Sequence, residues 1–85
     1  MSNETVGKFL LKLYEKTGDN ELICLDRYEI GEEIGLVDKI QTDHIVEILA
    51  KDGFVNNDIN GSKIRITEQG INRLKESILV NYSFL

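Results

Sequence analysis

Few residues of this chain could carry acid–base, nucleophilic or metal chemistry. His44 is its single histidine and Cys24 its single cysteine, too few nitrogen and sulfur ligands for a zinc site. The sequence places no nucleophile beside an activating base, and residues 60–63, NGSK, lie between two strand-like runs rather than forming a phosphate loop. We therefore expect a non-enzyme without metal or cofactor, with chemistry by carboxylates alone as the open alternative.

Two basic side chains are placed by strand spacing. Lys63 and Arg65 alternate with Ile64 and Ile66, and successive side chains of a strand point to opposite faces. We expect both cations to project into solvent. There they can contact an anionic partner or, as the alternative, only blunt the edge of a sheet by charge.

Length and composition favour one globular domain over residues 1–85. The chain has 85 residues, of which 41% are hydrophobic and 29% charged, which is typical of a folded protein rather than a disordered one. No apolar run approaches the roughly 20 residues that span a bilayer, and the start lacks the pattern of a signal peptide. Cys24 lies in an apolar run, where a free cysteine is usually buried. We expect a cytoplasmic protein that does not bind membranes.

The first part of the chain predicts a helix followed by a short strand. Residues 3–16 have helical spacing of apolar side chains, and Gly18 is suited to end that helix. Residues 21–25, ELICL, are a short apolar run between polar residues. They predict a strand, with a helix as the alternative. The apolar face of the helix consists of Val6, Phe9, Leu10 and Leu13.

Residues 26–53 predict two short helices. Asp26 and Asp38 each precede a helical pattern and can cap its first turn. Gly35 and Gly53 follow the two patterns, at the position where a helix commonly ends in a left-handed residue. Two short helices joined by a tight, glycine-containing turn are typical of a helix-turn-helix.

Residues 54–67 predict a β-hairpin, because two strand-like runs flank a polar segment that contains Asn60-Gly61, a strong hairpin turn. Thr67 can cap a last helix over about residues 68–82. The inward side chains of that helix are expected to be Ile71, Leu74 and Ile78.

The order helix, strand, helix, helix, hairpin, helix resembles the winged helix-turn-helix domain of small MarR- and PadR-like transcription regulators. Three motifs carry the resemblance: IGEEIGL at residues 30–36, LAKDGFV at 49–55 and ITEQGI at 66–71. The likeness extends over about residues 5–80. It implies an α+β, mainly helical winged helix, with a three-helix core, a β-hairpin wing and a C-terminal helix.

The resemblance also implies a site. By position, the helix after Asp38 would lie in the major groove of double-stranded DNA, and the wing would touch the backbone or the minor groove. Glutamine can pair with adenine, threonine can touch a thymine methyl group, and basic side chains neutralise phosphates. For His44 the favoured alternative is an ordinary solvated histidine on an exposed helix face. The implied DNA-binding residues are Lys39, Gln41, Thr42, His44, Lys63 and Arg65, with Glu47, Asn60 and Ser62 nearby.

Charge opposes this function. Residues 26–53 carry three basic and eight acidic side chains, and the rest of the chain carries seven of each, so the whole net charge of −5 lies in the helix-turn-helix. Asp43 and Glu47 are four residues apart on the helix expected to face DNA. Two functions therefore remain open. One is a DNA-binding transcription regulator, and the other is an acidic interaction module that binds a basic protein and no DNA.

The end of the chain, ILVNYSFL at residues 78–85, is apolar nearly all round. It either packs back onto the first helix or joins two copies as a homodimer. In the second case we expect Leu79, Tyr82 and Phe84 in the interface.

Overall fold

The computed structural model describes residues 3–58 and 61–83, and for residues 3 and 77–83 it describes the backbone alone. Over these residues the chain forms four helices and three short strands, a small and mainly helical α+β architecture. In chain order the elements are α1 Asn3–Thr17, β1 Leu25–Asp26, α2 Arg27–Glu33, α3 Lys39–Lys51, β2 Val55–Asn57, β3 Lys63–Ile66 and α4 Glu68–Ser83.

The three strands form one antiparallel sheet in the order β1-β3-β2. Val55 lies opposite Ile66 in the β2–β3 hairpin, and Leu25 lies opposite Ile64. In β3, Ile64 and Ile66 are buried and the alternating basic residues Lys63 and Arg65 are exposed, as predicted from strand periodicity. The sheet therefore has a core face and an outward face.

The core lies between this sheet and the helices. α1, α2 and α3 each contribute an apolar face, and Ile71 brings in the start of α4. Burial of such side chains is the main favourable term in folding. The core consists of Phe9, Leu10, Leu13, Ile30, Ile45, Val46, Leu49, Val55, Ile64, Ile66 and Ile71.

The predicted helix caps are confirmed by hydrogen bonds. Asp26 Oδ1 accepts from the Tyr28 amide at 2.8 Å, and Asp38 Oδ1 accepts from the Ile40 amide at 2.9 Å. Thr67 Oγ1 accepts from the amide of Gly70 at 3.0 Å at the start of α4. Each bond satisfies an amide that has no partner inside the first turn of its helix.

Gly35 makes the turn between α2 and α3. Its φ is +89°, a left-handed conformation that costs glycine little and other residues more. The Leu36 amide then donates to the carbonyl of Gly31 at 2.8 Å and the Gly35 amide donates to that of Glu32 at 3.1 Å, the two bonds of a Schellman helix end. Gly18 and Gly53 end α1 and α3 with positive φ as well.

The strand predicted for residues 21–25 is wrong except at Leu25. The amide of Leu22 donates to Asn20 Oδ1 at 2.9 Å in a turn, and the Leu22 side chain is 81% exposed. Cys24 is exposed, so its predicted burial is also wrong. Leu25 lies beside Ile64, and Cys24, one residue earlier, lines the outward side of the sheet instead.

No helix in the described part of the chain is long and apolar enough to cross a bilayer. The predictions for Asn60 and for the side chains of Ile78, Leu79, Tyr82 and Phe84 lie outside what the structure describes.

Candidate functional site

The exposed face of α3 carries three of the four site residues predicted on that helix. Lys39, Gln41 and His44 are exposed, as is Glu47 one turn after His44. Thr42 is only 1% exposed, so its prediction as part of an exposed DNA-contacting face is wrong.

The burial of Thr42 follows from the close crossing of α2 and α3. A Cβ atom built on Gly31 would lie 2.6 Å from Thr42 Oγ1, closer than packed atoms approach. Thr42 also lies three, four and seven residues before Ile45, Val46 and Leu49, which is the spacing of one helix face. That spacing could have assigned Thr42 to the core from the sequence.

Two apolar side chains are exposed where α3 begins. Val37 is 91% exposed and Ile40 is 78% exposed, and they flank the N-cap residue Asp38. At about 100° per residue, Ile40 lies roughly opposite the buried face of α3. Neither residue was among those predicted for the site, although the helical spacing could have identified Ile40.

A buried guanidinium joins α2, α3 and the hairpin. Arg27 is 7% exposed. Its Nε donates to the carbonyl of Ser62 at 3.2 Å, its Nη2 donates to Asn57 Oδ1, and its Nη1 lies 3.4 Å from Asp43 Oδ1. Hydrogen bonds of this kind satisfy a charged group that is otherwise costly to bury. We call Arg27, Tyr28, Asp43, Asn57 and Ser62 the Arg27 cluster.

Asp43, one of the two acids on the helix expected to face DNA, is a member of this cluster. Its Oδ1 also accepts from the hydroxyl of Tyr28 at 2.8 Å. That hydrogen bond is the main reason why the pKa of the Tyr28 phenol is raised above its usual value. Lys39 Nζ lies 5.0 Å from the centroid of the Tyr28 ring, a cation–π contact. The carboxylate of Asp43 is thus engaged within the chain.

The hairpin contributes the remaining predicted cations. Lys63 and Arg65 are exposed on the outward face of the sheet, around a shallow hollow shared with Cys24 and Asn56. Ser62 is half-buried, and its hydroxyl donates to Asp26 Oδ2 at 3.1 Å. Lys63 and Arg65 are therefore the accessible cations of β3, whereas the Ser62 hydroxyl is already bound.

The Arg27 cluster lines a second, open depression between α3 and the hairpin, together with Asp58 and Gly61. The sequence did not predict this cluster because its contacts join residues 15 to 35 positions apart. No local spacing indicates such a contact.

Over residues 3–58 and 61–83 the structure contains no group of three or more His, Cys, Asp and Glu side chains that could hold a metal ion. In comparisons with known proteins, the chain matches no family model, no curated protein and no solved structure.

Proposed function

We propose that this protein is a winged-helix transcription regulator that binds double-stranded DNA with the exposed face of α3 and with the β2–β3 hairpin. The observation that carries the proposal is the Arg27 cluster. It holds α3 and the hairpin side by side across one depression. A helix and an adjacent hairpin can together follow a groove and the phosphates beside it.

The exposed side chains support this assignment of roles. Gln41 and His44 lie on the exposed face of α3 and are suited to bond with base edges. Lys39, Lys63 and Arg65 are exposed cations of α3 and β3 and are suited to neutralise phosphates, the main source of affinity for DNA.

The acidic side chains of residues 26–53 oppose DNA binding less than the net charge of this segment implies. Asp26 and Asp38 cap α2 and α3, and Asp43 accepts from Tyr28 and Arg27. Glu33 forms an ion pair with Lys16 at 2.8 Å. Among the acids of α3, Glu47 is left as the exposed carboxylate that repels a nearby phosphate most directly.

Fluorescence anisotropy of a labelled mixed-sequence duplex over a salt series tests the proposal. We expect affinity that falls with salt. The double variant Lys63→Ala/Arg65→Ala should lower the logarithmic slope by about two, at roughly 0.9 per phosphate contact. Lys8→Ala, an exposed cation on α1, is the matched control and should leave the slope unchanged. Glu47→Gln should strengthen binding.

Two results would count against the proposal. An unchanged slope in the double variant would remove the hairpin from the interface. No binding even at low salt, where electrostatic attraction is least screened, would reject DNA as the ligand.

That second result would favour the other candidate, an acidic module that binds a basic protein. It is supported by Glu29 and Glu32, two acidic side chains that are exposed on α2. Their double replacement by glutamine should then weaken capture of the basic partner, and it should leave the folding stability nearly unchanged because both side chains are exposed.

We also propose that two copies associate through α1 and the end of the chain. Leu11 is a large apolar side chain exposed on α1, and a domain of this size buries only about two thirds of the surface that its unfolded chain exposes. Sedimentation at roughly tens of micromolar should show a dimer, and Leu11→Lys should shift it toward monomer. Sedimentation of the unaltered chain as monomer alone would disprove the dimer.

A further inference from the structure

The exposed Val37 and Ile40 are not explained by folding. At 91% and 78% exposure they contribute little burial to the core. Ile40 lies within α3, where an exposed β-branched residue does not aid helix formation because its side chain loses rotational freedom. Val37 lies two residues before α3, and Ile40 lies in its first turn between the exposed Lys39 and Gln41.

We propose that Val37 and Ile40 contact the C5-methyl groups of thymines in the major groove, and that Gln41 beside them bonds the adenine of an A·T pair. This inference rests on the proposed DNA binding and adds the base pair that the start of α3 selects. The thymine methyl is the apolar feature of the major groove, and a glutamine can pair with the N6 and N7 atoms of adenine.

The pattern of the surface fits single methyl groups better than a protein partner. The charged residues Asp38 and Lys39 lie between the two apolar side chains in the chain, and Gln41 and His44 follow them. Two such side chains are far from the roughly 800 Å² per partner of a stable protein interface.

Local charge does not prevent this contact. Asp38 is engaged by the amide of Ile40 at 2.9 Å, and Asp43 by the hydroxyl of Tyr28 at 2.8 Å. Lys39 is the cation of the same helical turn and lies within reach of a phosphate that flanks the contacted bases.

The experiment removes one methyl group at a time. The tightest-binding duplex is selected from a random-sequence pool with the full chain at low salt. It is then resynthesised with deoxyuridine in place of one thymidine per duplex, a change that deletes only the C5-methyl. At one or two positions we expect the affinity to fall about fourfold per contacted methyl.

Variants assign the effect to the protein side. At one of the sensitive positions, Ile40→Ala or Val37→Ala should bind the duplex with thymidine and the duplex with deoxyuridine with equal affinity. Leu22→Ala is the matched control, since Leu22 is 81% exposed but lies outside α3, and it should keep the full preference. All three positions are exposed, so the variants should fold, which circular dichroism checks.

Duplex binding with equal affinity for thymidine and deoxyuridine at every position would overturn the inference and leave DNA binding intact. A preference that persists in both Ile40→Ala and Val37→Ala would overturn it as well. The absence of any duplex binding would overturn the inference together with the proposed function. Val37 and Ile40 would then be assigned to contact with a protein partner.

Discussion

At the scale of single residues, the environment of a charge matters more than its presence in the sequence. Asp43 adds to the negative charge of α3, yet its carboxylate accepts from Tyr28 at 2.8 Å and lies 3.4 Å from Arg27 Nη1. Its side chain is half exposed, so the pairing with Arg27 is partly screened by solvent. A carboxylate bound in this way is less available to repel a phosphate than Glu47, which lies on the exposed face.

The phenol of Tyr28 should report this hydrogen bond. The bond to Asp43 raises the pKa of Tyr28, because a phenolate could not donate and would face a negative charge. Asp43→Asn should therefore lower the pKa, as measured by ultraviolet titration of phenolate absorbance. Tyr28→Phe identifies the signal, and Asp52→Asn, an exposed acid at the other end of α3, should not move it.

The raised pKa of Tyr28 also determines how the stability of the fold changes with pH. A group whose pKa is higher in the folded state stabilises the fold fully below its unfolded pKa, about 10 for tyrosine. That stabilisation should be lost as pH rises through the higher folded pKa. The wild type should accordingly lose more stability than Tyr28→Phe over that alkaline range, and parallel losses would contradict the assigned hydrogen bond.

At the scale of elements, the close approach of α2 and α3 depends on Gly31 and Thr42. Gly31 leaves no room for a Cβ beside Thr42, and Gly35 reverses the chain between the helices with φ +89°. The crossing buries Thr42 and turns the opposite side of α3, with Gln41 and His44, toward solvent. Which residues α3 presents to a ligand is thus decided by its contact with α2.

Gly31→Ala should destabilise the protein by about 1–3 kcal/mol, the usual cost of overpacking, as measured by chemical denaturation. Gly7→Ala is the matched control, because a Cβ atom added to Gly7 in α1 would meet no other element within 4 Å in the described part of the chain. It should stabilise by about 0.5–1 kcal/mol. Adding Thr42→Ala to Gly31→Ala should recover part of the loss, and strict additivity of the two changes would argue against the contact.

At the scale of the whole molecule, hydrogen bonds join the described part of the hairpin to the helices near both of its ends. At one end, Thr67 Oγ1 donates to the carbonyl of Gly53 at 2.7 Å, which holds the start of α4 against the end of α3. At the other end, Arg27 binds Asn57 and the carbonyl of Ser62. The position of the hairpin relative to α3 therefore depends on a buried charge as well as on the apolar core.

Arg27→Gln should lower the free energy of unfolding by about 2–3 kcal/mol, since hydrogen bonds to a charged group are among the stronger ones. Hydrogen–deuterium exchange of the hairpin amides should increase more than that of α1. Arg65→Gln, an exposed arginine in the same sheet, should change stability by no more than about 0.5 kcal/mol. Unchanged hairpin protection in Arg27→Gln would show that the cluster does not hold the hairpin.

The features predictable from the sequence are those set by neighbouring residues. Asp26, Asp38 and Thr67 act as caps because each lies two or three residues before the amide that it binds. Lys63 and Arg65 project outward because a strand alternates its faces. Periodicity, capping and turn chemistry depend only on residues close together in the chain, so they can be predicted from the sequence.

The features that no local pattern predicts depend on contacts between residues far apart in the chain. β1 begins only at Leu25, where its pairing with β3 begins. Cys24 therefore lies outside the strand and is exposed, contrary to the prediction. Of the two acids of α3 expected to repel DNA, Asp43 is instead bound by residues 15 and 16 positions away. Such contacts form only when α2, α3 and the hairpin pack together, because no periodic pattern along the chain specifies which distant polar group will meet a buried guanidinium.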